Sequence, residues 1–360
     1  MLQRLSGALA IPTIMISTNG ACSEFPSFGR QGGRTLIELI IAIAIGLFIV
    51  AGVASLYLSS SQVSRVANQV GEIEDSGQLA MFVMGDAIRM AGFGEIVGSS
   101  ATSRLGQTQF GGPQLRACSN GTFTDPWATP PDVTCVPSGL PAGPDELLVS
   151  FQSNNIKASP QGPLADCLGQ TFNTLNPLHS TTVDRFGGPS NVNVPIATSV
   201  FSINANGEFS CRGKYGPATQ ALVGNAANFK VFFGFDNVRN GASGTGITDL
   251  VPMSRMWLNA AAVNAAGGGG PVILGTVQAS PWDNVVSVLI CVTIVTNQTG
   301  LTTAAATTRA RCPETAAEVA TGLDGGGNPL TVVDNDGFIR RTFSQVLAVR
   351  ANTGLFAAFN

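Results

Sequence analysis

Charged residues vanish from the chain between Leu39 and Leu58. These 20 or so largely apolar residues, at about 1.5 Å of rise each, match the roughly 30 Å hydrocarbon core of a bilayer and predict a membrane-spanning helix over 39–58. The apolar pattern then thins without stopping. Val63, Val66, Val70, Ile73, Gly77, Ala80, Met84, Ala87 and Ala91 keep one helical register, the signature of a helix with one buried face. Gly71, Gly77 and Gly85 weaken it by about 1 kcal/mol each relative to alanine, and Gly92 stands where a helix-ending glycine belongs. The pattern predicts one helix from Thr35 to about Ala91, roughly 85 Å long, whose second half buries its stripe against a globular body.

Past Gly92 the helical period is lost. Residues 95–143 are rich in Gly, Ser, Thr and Pro and read as loop, with Cys118 and Cys135 placed to close a surface loop around Trp127. Asp145-Glu146-Leu147-Leu148-Val149-Ser150-Phe151 reads as the first strand, and 152–225 as a long variable region. Three further runs, 228–236, 282–295 and 338–350, are β-branched, aromatic and of strand length. A long helix followed by a series of strands is an α+β arrangement.

Composition sharpens this picture. Only 11% of the 360 residues are charged and the formal net charge is −3, which on bulk electrostatics makes a poor nucleic-acid binder; local basic patches stay open. Arg30 and Arg34 precede the apolar span, while Ser59-Ser60-Ser61-Gln62 after it carries no charge. By the positive-inside rule the N-terminus faces the cytoplasm and the body the periplasm. Beyond Cys22 lie six cysteines, Cys118, Cys135, Cys167, Cys211, Cys291 and Cys312, with no Cys-x-x-Cys spacing. An even number in an extracytoplasmic body points to disulfides. Of the possible connectivities, pairing of consecutive cysteines closes the shortest loops at the lowest entropic cost, with buried thiols as the alternative.

At the mouth of the apolar run sits Glu38, within Gly32-Gly33-Arg34-Thr35-Leu36-Ile37-Glu38. A carboxylate entering a membrane helix needs compensation. One source is local: Thr35-x-x-Glu38 fits a capping box. The other is an ammonium created on Arg34 by cleavage after Gly33, one helical turn away from the carboxylate.

A basic leader ending in glycine, then Thr35-Leu36-Ile37-Glu38 and a long apolar run, resembles the class III signal of type IV prepilins and pseudopilins. The resemblance implies cleavage after Gly33 by a membrane-embedded aspartyl protease, methylation of the new N-terminus on Arg34, and a filament-assembly role for Glu38. Arg34 departs from the family, where this residue is usually Phe. On this reading residues 1–33 are a leader, with Met15 as an alternative start, and removing Arg4, Arg30 and Glu24 with the leader takes the net charge from −3 to −4. Asp86-Ala87-Ile88-Arg89-Met90-Ala91-Gly92, and the order of the later strand blocks, are similar to minor pilins of the PilW kind. The implied organisation is a leader (1–33), an N-terminal pilin helix (34–92) and a disulfide-bonded, antiparallel β-rich head (93–360).

Catalytic chemistry is sparse. No Gly-x4-Gly-Lys-Ser/Thr, His-Glu-x-x-His or Gly-x-Ser-x-Gly occurs. Gly267-Gly268-Gly269-Gly270 and Gly325-Gly326-Gly327 read as flexible loops. The single histidine, His179, reads as a loop residue. No cofactor is expected and an enzyme is not. Asp334 and Asp336, and Asp236 with Asn237, Asn240 and Asp249, are weak calcium candidates; Asn335-Asp336-Gly337 reads more simply as a hairpin turn.

The sequence therefore favours a minor pilin that primes or supports a type IV pilus in twitching, adhesion or DNA uptake. Its implied partners are other minor pilins, the major pilin, the prepilin peptidase, the inner-membrane assembly platform and, as a further candidate, a tip adhesin. Two alternatives stay open: a type II secretion pseudopilin like the J component, and a membrane-tethered module that binds DNA or a surface.

Overall fold

The computed structural model describes residues 35–93, 114–127, 132–139, 143–152, 166–169, 196–213, 219–236, 253–266, 281–297 and 307–349. The chain divides into two compact units, Met1–Ser60 and Ser61–Asn360. One helix, α1 (Leu36–Met90), spans the boundary, close to the limits that the residue pattern predicts. In the first unit every described residue is exposed; Leu36, Phe48 and Tyr57 show most of their surface.

In the second unit α1 acquires a buried face through Ile73, Gly77, Ala80, Met84, Ala87 and Ile88. The predicted stripe is buried from Ile73 onward, and Val66 and Val70 before it are half-buried. Val63 is exposed, and full burial begins only at Ile73. The helix stops at Gly92, which takes φ 69°, a backbone that glycine adopts without penalty. Its N–H donates to the Ser150 carbonyl at 2.9 Å, and the Gln152 N–H donates to the Phe93 carbonyl at 2.8 Å. The helix end is thus stitched to the strand that contains Ser150.

That strand is β4 (Glu146–Gln152), the fourth strand and not the first. Upstream, 114–137 holds β1 (Leu115–Cys118), β2 (Gly121–Asp125) and β3 (Asp132–Pro137). The segment read as a surface loop around Trp127 is an antiparallel hairpin of β2 with β3. The region read as variable supplies β5 (Ile196–Ile203), β6 (Phe209–Gly213) and β7 (Gln220–Val223). Together they form an antiparallel five-stranded sheet, β1-β4-β5-β6-β7. The short, Ser- and Thr-containing strands of this sheet lack the long apolar runs that announce the others.

A second antiparallel sheet is built from the three long runs. After β8 (Ala226–Phe235) come β9 (Met256–Leu258), α2 (Ala260–Ala265), β10 (Val285–Val295), β11 (Thr307–Ala310), α3 (Ala316–Thr321), β12 (Thr331–Asp334) and β13 (Arg340–Ala348). The sheet order is β13-β10-β8-β9. Residues 282–284, expected as the start of the β10 strand, lie instead in a short 3-10 turn, Pro281–Asn284. β11 pairs with β12 alone, so the hairpin expected at Asn335-Asp336-Gly337 is corrected. The chain turns there with Gly337 at φ 76°, but β12 and β13 join different sheets.

One core unites helix and sheets. Ile73, Ala80, Met84 and Ile88 of α1 pack with Leu147, Val149 and Phe201 of the first sheet and with Phe229, Phe233, Val288, Ile290 and Val292 of the second. On the opposite face of β4 and β5, Leu148 and Val200 meet Cys118 and Phe123 in a smaller cluster under the β2–β3 hairpin. β4 is buried on both faces for this reason.

Candidate functional site

At its N-terminal end α1 offers an apolar face in all directions. Glu38 is the one charged residue from Leu36 through Ser64, and it is exposed. The Thr35 carbonyl accepts the first helical bonds, from the N–H groups of Glu38 at 3.0 Å and Leu39 at 3.3 Å, so the carboxylate projects from the first turn. There the partial positive charge of the helix terminus favours an anion. The helix is long and apolar enough to cross a membrane. Gly33 and Arg34, the predicted cleavage and methylation sites, lie outside the described residues, as do the leader and His179.

The six body cysteines join in consecutive pairs. Cys118–Cys135 has its Cα atoms 5.5 Å apart, Cys167–Cys211 6.4 Å and Cys291–Cys312 5.7 Å, all within the span that a disulfide bridges. Each bond holds a different part of the body. Cys118–Cys135 ties β1 to the β2–β3 hairpin, Cys167–Cys211 fastens residues 166–169 to β6, and Cys291–Cys312 fastens the chain before α3 to central β10.

Of the calcium candidates, Asn237, Asn240 and Asp249 lie outside the described residues; Asp236, Asp334 and Asp336 hold arginines. Asp334 pairs with Arg309 and lies 3.4 Å from Arg340. Asp336 accepts from both terminal nitrogens of Arg340, at 2.8 and 2.5 Å. That guanidinium holds the Asp336 carboxyl well below its ordinary range, at about 2. Asp236 pairs with Arg255 at 3.2 Å. With guanidinium groups on these oxygens, the carboxylates serve as struts of the β11–β13 arm and of the β8 end. Among the described residues no group of three or more His, Cys, Asp and Glu is arranged to hold a metal ion.

Sequence reasoning missed a buried polar cluster at the β4–β8 contact. Asp145 and Lys230 are each only 4% exposed, with Lys230 Nζ 3.6 Å from Asp145 Oδ1. The amine donates to Asn120 Oδ1 at 2.5 Å and to the Gly143 carbonyl at 2.7 Å. Beside it Glu146, fully buried, accepts from the Phe123 N–H at 2.5 Å and pairs with Arg212. Burial pushes both carboxyls above their ordinary range, against the pull of Lys230 on Asp145 and, for Glu146, of the Phe123 N–H and Arg212. A signal existed: a lysine inside the apolar run Phe229–Phe235, and two acids opening the run Leu147–Phe151.

No protein-family model and no curated protein sequence matches the chain. Among solved structures, a type IV-like pilin from Thermus thermophilus aligns over 78% of this chain and 98% of its own, with 11% identity and a TM-score of 0.35.

Proposed function

We propose that this chain is a minor pilin that primes or supports assembly of a type IV pilus. The observation that carries the proposal is the first unit of α1: a continuous helix, apolar and exposed on every side, entered through the single carboxylate of Glu38. Such a surface requires lipid or other apolar helices around it. In the precursor the partner is the inner-membrane bilayer, with the head in the periplasm, where three disulfides suit an oxidising compartment.

After cleavage at Gly33, the helix moves from lipid into a bundle of similar helices, where packing and polar contacts replace the bilayer. Glu38 then pairs with the N-terminal ammonium of a neighbouring subunit, which compensates its charge in the apolar bundle. The head presents its surface outward, toward other minor pilins or the medium. The partners are the major and minor pilins, the peptidase and the assembly platform.

The deciding experiment is the mass of the N-terminal peptide from cells with and without prepilin peptidase. A chain beginning at Arg34, methylated or not, only when the peptidase is present supports the proposal. An intact N-terminus in both overturns it and leaves Thr35 and Glu38 as the cap of an ordinary membrane anchor.

A further inference from the structure

Lys230, Asn120 and Asp145 come together from three separate parts of the body. Lys230 lies on β8, Asn120 in the turn between β1 and β2, and Asp145 immediately before β4. The Lys230 amine touches the oxygen of the Asn120 amide at 2.5 Å. Asp145 clamps both segments: its Oδ1 accepts the Asn120 N–H at 2.9 Å, and its Oδ2 accepts the N–H of Val231, next to Lys230, at 2.8 Å. Amine, amide and carboxylate are thus held by backbone contacts and not merely by mobile side chains. Asp145 and Lys230 are screened from water, so that a proton moves between them without competition from solvent.

We propose that Lys230 and Asn120 become joined by an intramolecular amide bond, with Asp145 as the proton relay. The step balances without any co-reactant. Lys230 passes a proton to Asp145, and the neutral amine attacks Cγ of Asn120. The Cγ–Nδ2 bond breaks as the Nζ–Cγ bond forms; Asp145 returns its proton to the departing nitrogen and passes on the second proton that Nζ sheds as it becomes an amide N–H, so the nitrogen leaves as ammonium. Nothing is oxidised or reduced. Burial favours the protonated form of Asp145, which suits a group that must receive and return a proton. The hydrogen bond from Nζ to Oδ1 keeps the amine beside the amide, and such proximity supplies the main acceleration in reactions of this kind.

The product ties residues 110 apart in sequence and bolts β8 of the four-stranded sheet to the β1–β2 turn beside the five-stranded one. It also removes a buried positive charge. A subunit linked in this way resists being pulled open in a way that hydrogen bonds between strands do not. The inference stands apart from the pilin proposal, since it concerns the head alone.

The test is a peptide map of the full chain, purified in detergent, reduced, alkylated and digested with trypsin. The expected result is a branched peptide containing both Asn120 and Lys230, lighter than the sum of its parts by one ammonia, with no cleavage after Lys230. Cleavage after Lys230 together with unmodified Asn120 overturns the proposal, and so does Asn120 converted to Asp with Lys230 free. Lys230→Arg should abolish the branched peptide, while Asp145→Asn should slow its appearance by about 100-fold. Linkage at the natural rate in Asp145→Asn would overturn the relay.

Discussion

Gly77 of α1 lies directly under the ring of Phe343 on β13, so close that a Cβ at position 77 would overlap the ring carbons Cε2 and Cζ. A helical glycine costs about 1 kcal/mol against alanine. Here that cost permits β13 to approach the helix. Gly85 plays a looser version of the same part, with Leu347 at 3.8 Å from where its Cβ would be. Gly71, six residues before Gly77, has nothing within 4 Å of where its Cβ would be.

Gly77→Ala and Gly71→Ala should therefore have opposite signs. At Gly77 the clash with Phe343 outweighs the gain in helix propensity and lowers stability by about 1–3 kcal/mol. At Gly71 the propensity gain stands alone, up to about 1 kcal/mol of stabilisation. Urea unfolding of the two variants in the same detergent checks the pair. Adding Phe343→Leu to Gly77→Ala should recover much of the loss, as residues in contact couple.

How far the sequence disclosed this architecture follows from the kind of signal each element carries. α1 was legible because an uninterrupted apolar run and a helical stripe persist over more than fifty residues. β8, β10 and β13 were legible as β-branched and aromatic runs of nine to eleven residues. The first sheet was not. In Ile196–Ile203 both faces are buried, but Thr198-Ser199 and Ser202 break up its apolar residues, so the strand shows neither a continuous apolar run nor a period of two, and Phe209–Gly213 is too short to show any period. α3 had a signature that was overlooked: Thr315 and Glu318 form a capping box, the same spacing that drew attention to Thr35 and Glu38. For the Asn120, Asp145 and Lys230 cluster the sequence shows only a lysine within Phe229–Phe235 and acids before Leu147; which residues they meet has no local pattern, since its members come together only when both sheets are in place.

Acid and base should act on different parts of the head. The Arg340 guanidinium lowers Asp336 from 3.8 to about 2, so its contribution to stability is complete above pH 3.8 and lost as the pH falls through about 2. Glu146 is the reverse case. Burial raises it above 4.5, the folded chain holds the extra proton, and its contribution is complete below pH 4.5 and lost as the pH rises through the folded value. Asp336→Asn should flatten the loss of stability below pH 3.8, and Glu146→Gln the decline above pH 4.5. Urea midpoints measured across the acid range for both variants would show each change in its own window and neither in the other's.

Cys291–Cys312 anchors the arm that carries β11, α3 and β12. Both cysteines are buried, and the bond closes a separation of 21 residues. Beyond it the arm is held by the hydrogen bond from the Thr342 hydroxyl to the Ala310 carbonyl at 2.9 Å and braced internally by the Arg311–Glu318 pair at 2.6 Å. Replacing both cysteines by alanine should cost about 2–5 kcal/mol. Limited proteolysis should then cut first within 307–334, while the two large sheets stay protected. Unchanged protection of that segment would mean that the polar contacts alone hold the arm.

On the proposed function, changes at Glu38 should separate insertion from assembly. Its carboxylate is a burden to a helix entering lipid, so Glu38→Ala should insert at least as well as the natural chain, read as the share of protein in the membrane fraction. If its charge pairs with the N-terminal ammonium of a neighbour, the same change should sharply lower the number of surface filaments. Glu38→Gln sharpens the argument, because the amide keeps the shape and a hydrogen-bonding oxygen but not the charge. Loss of filaments in Glu38→Gln as in Glu38→Ala would mean that the ion pair drives docking. Filaments at the natural number in Glu38→Gln would leave a neutral hydrogen bond sufficient and overturn the charge pairing, while filaments at the natural number in Glu38→Ala would remove Glu38 from assembly altogether.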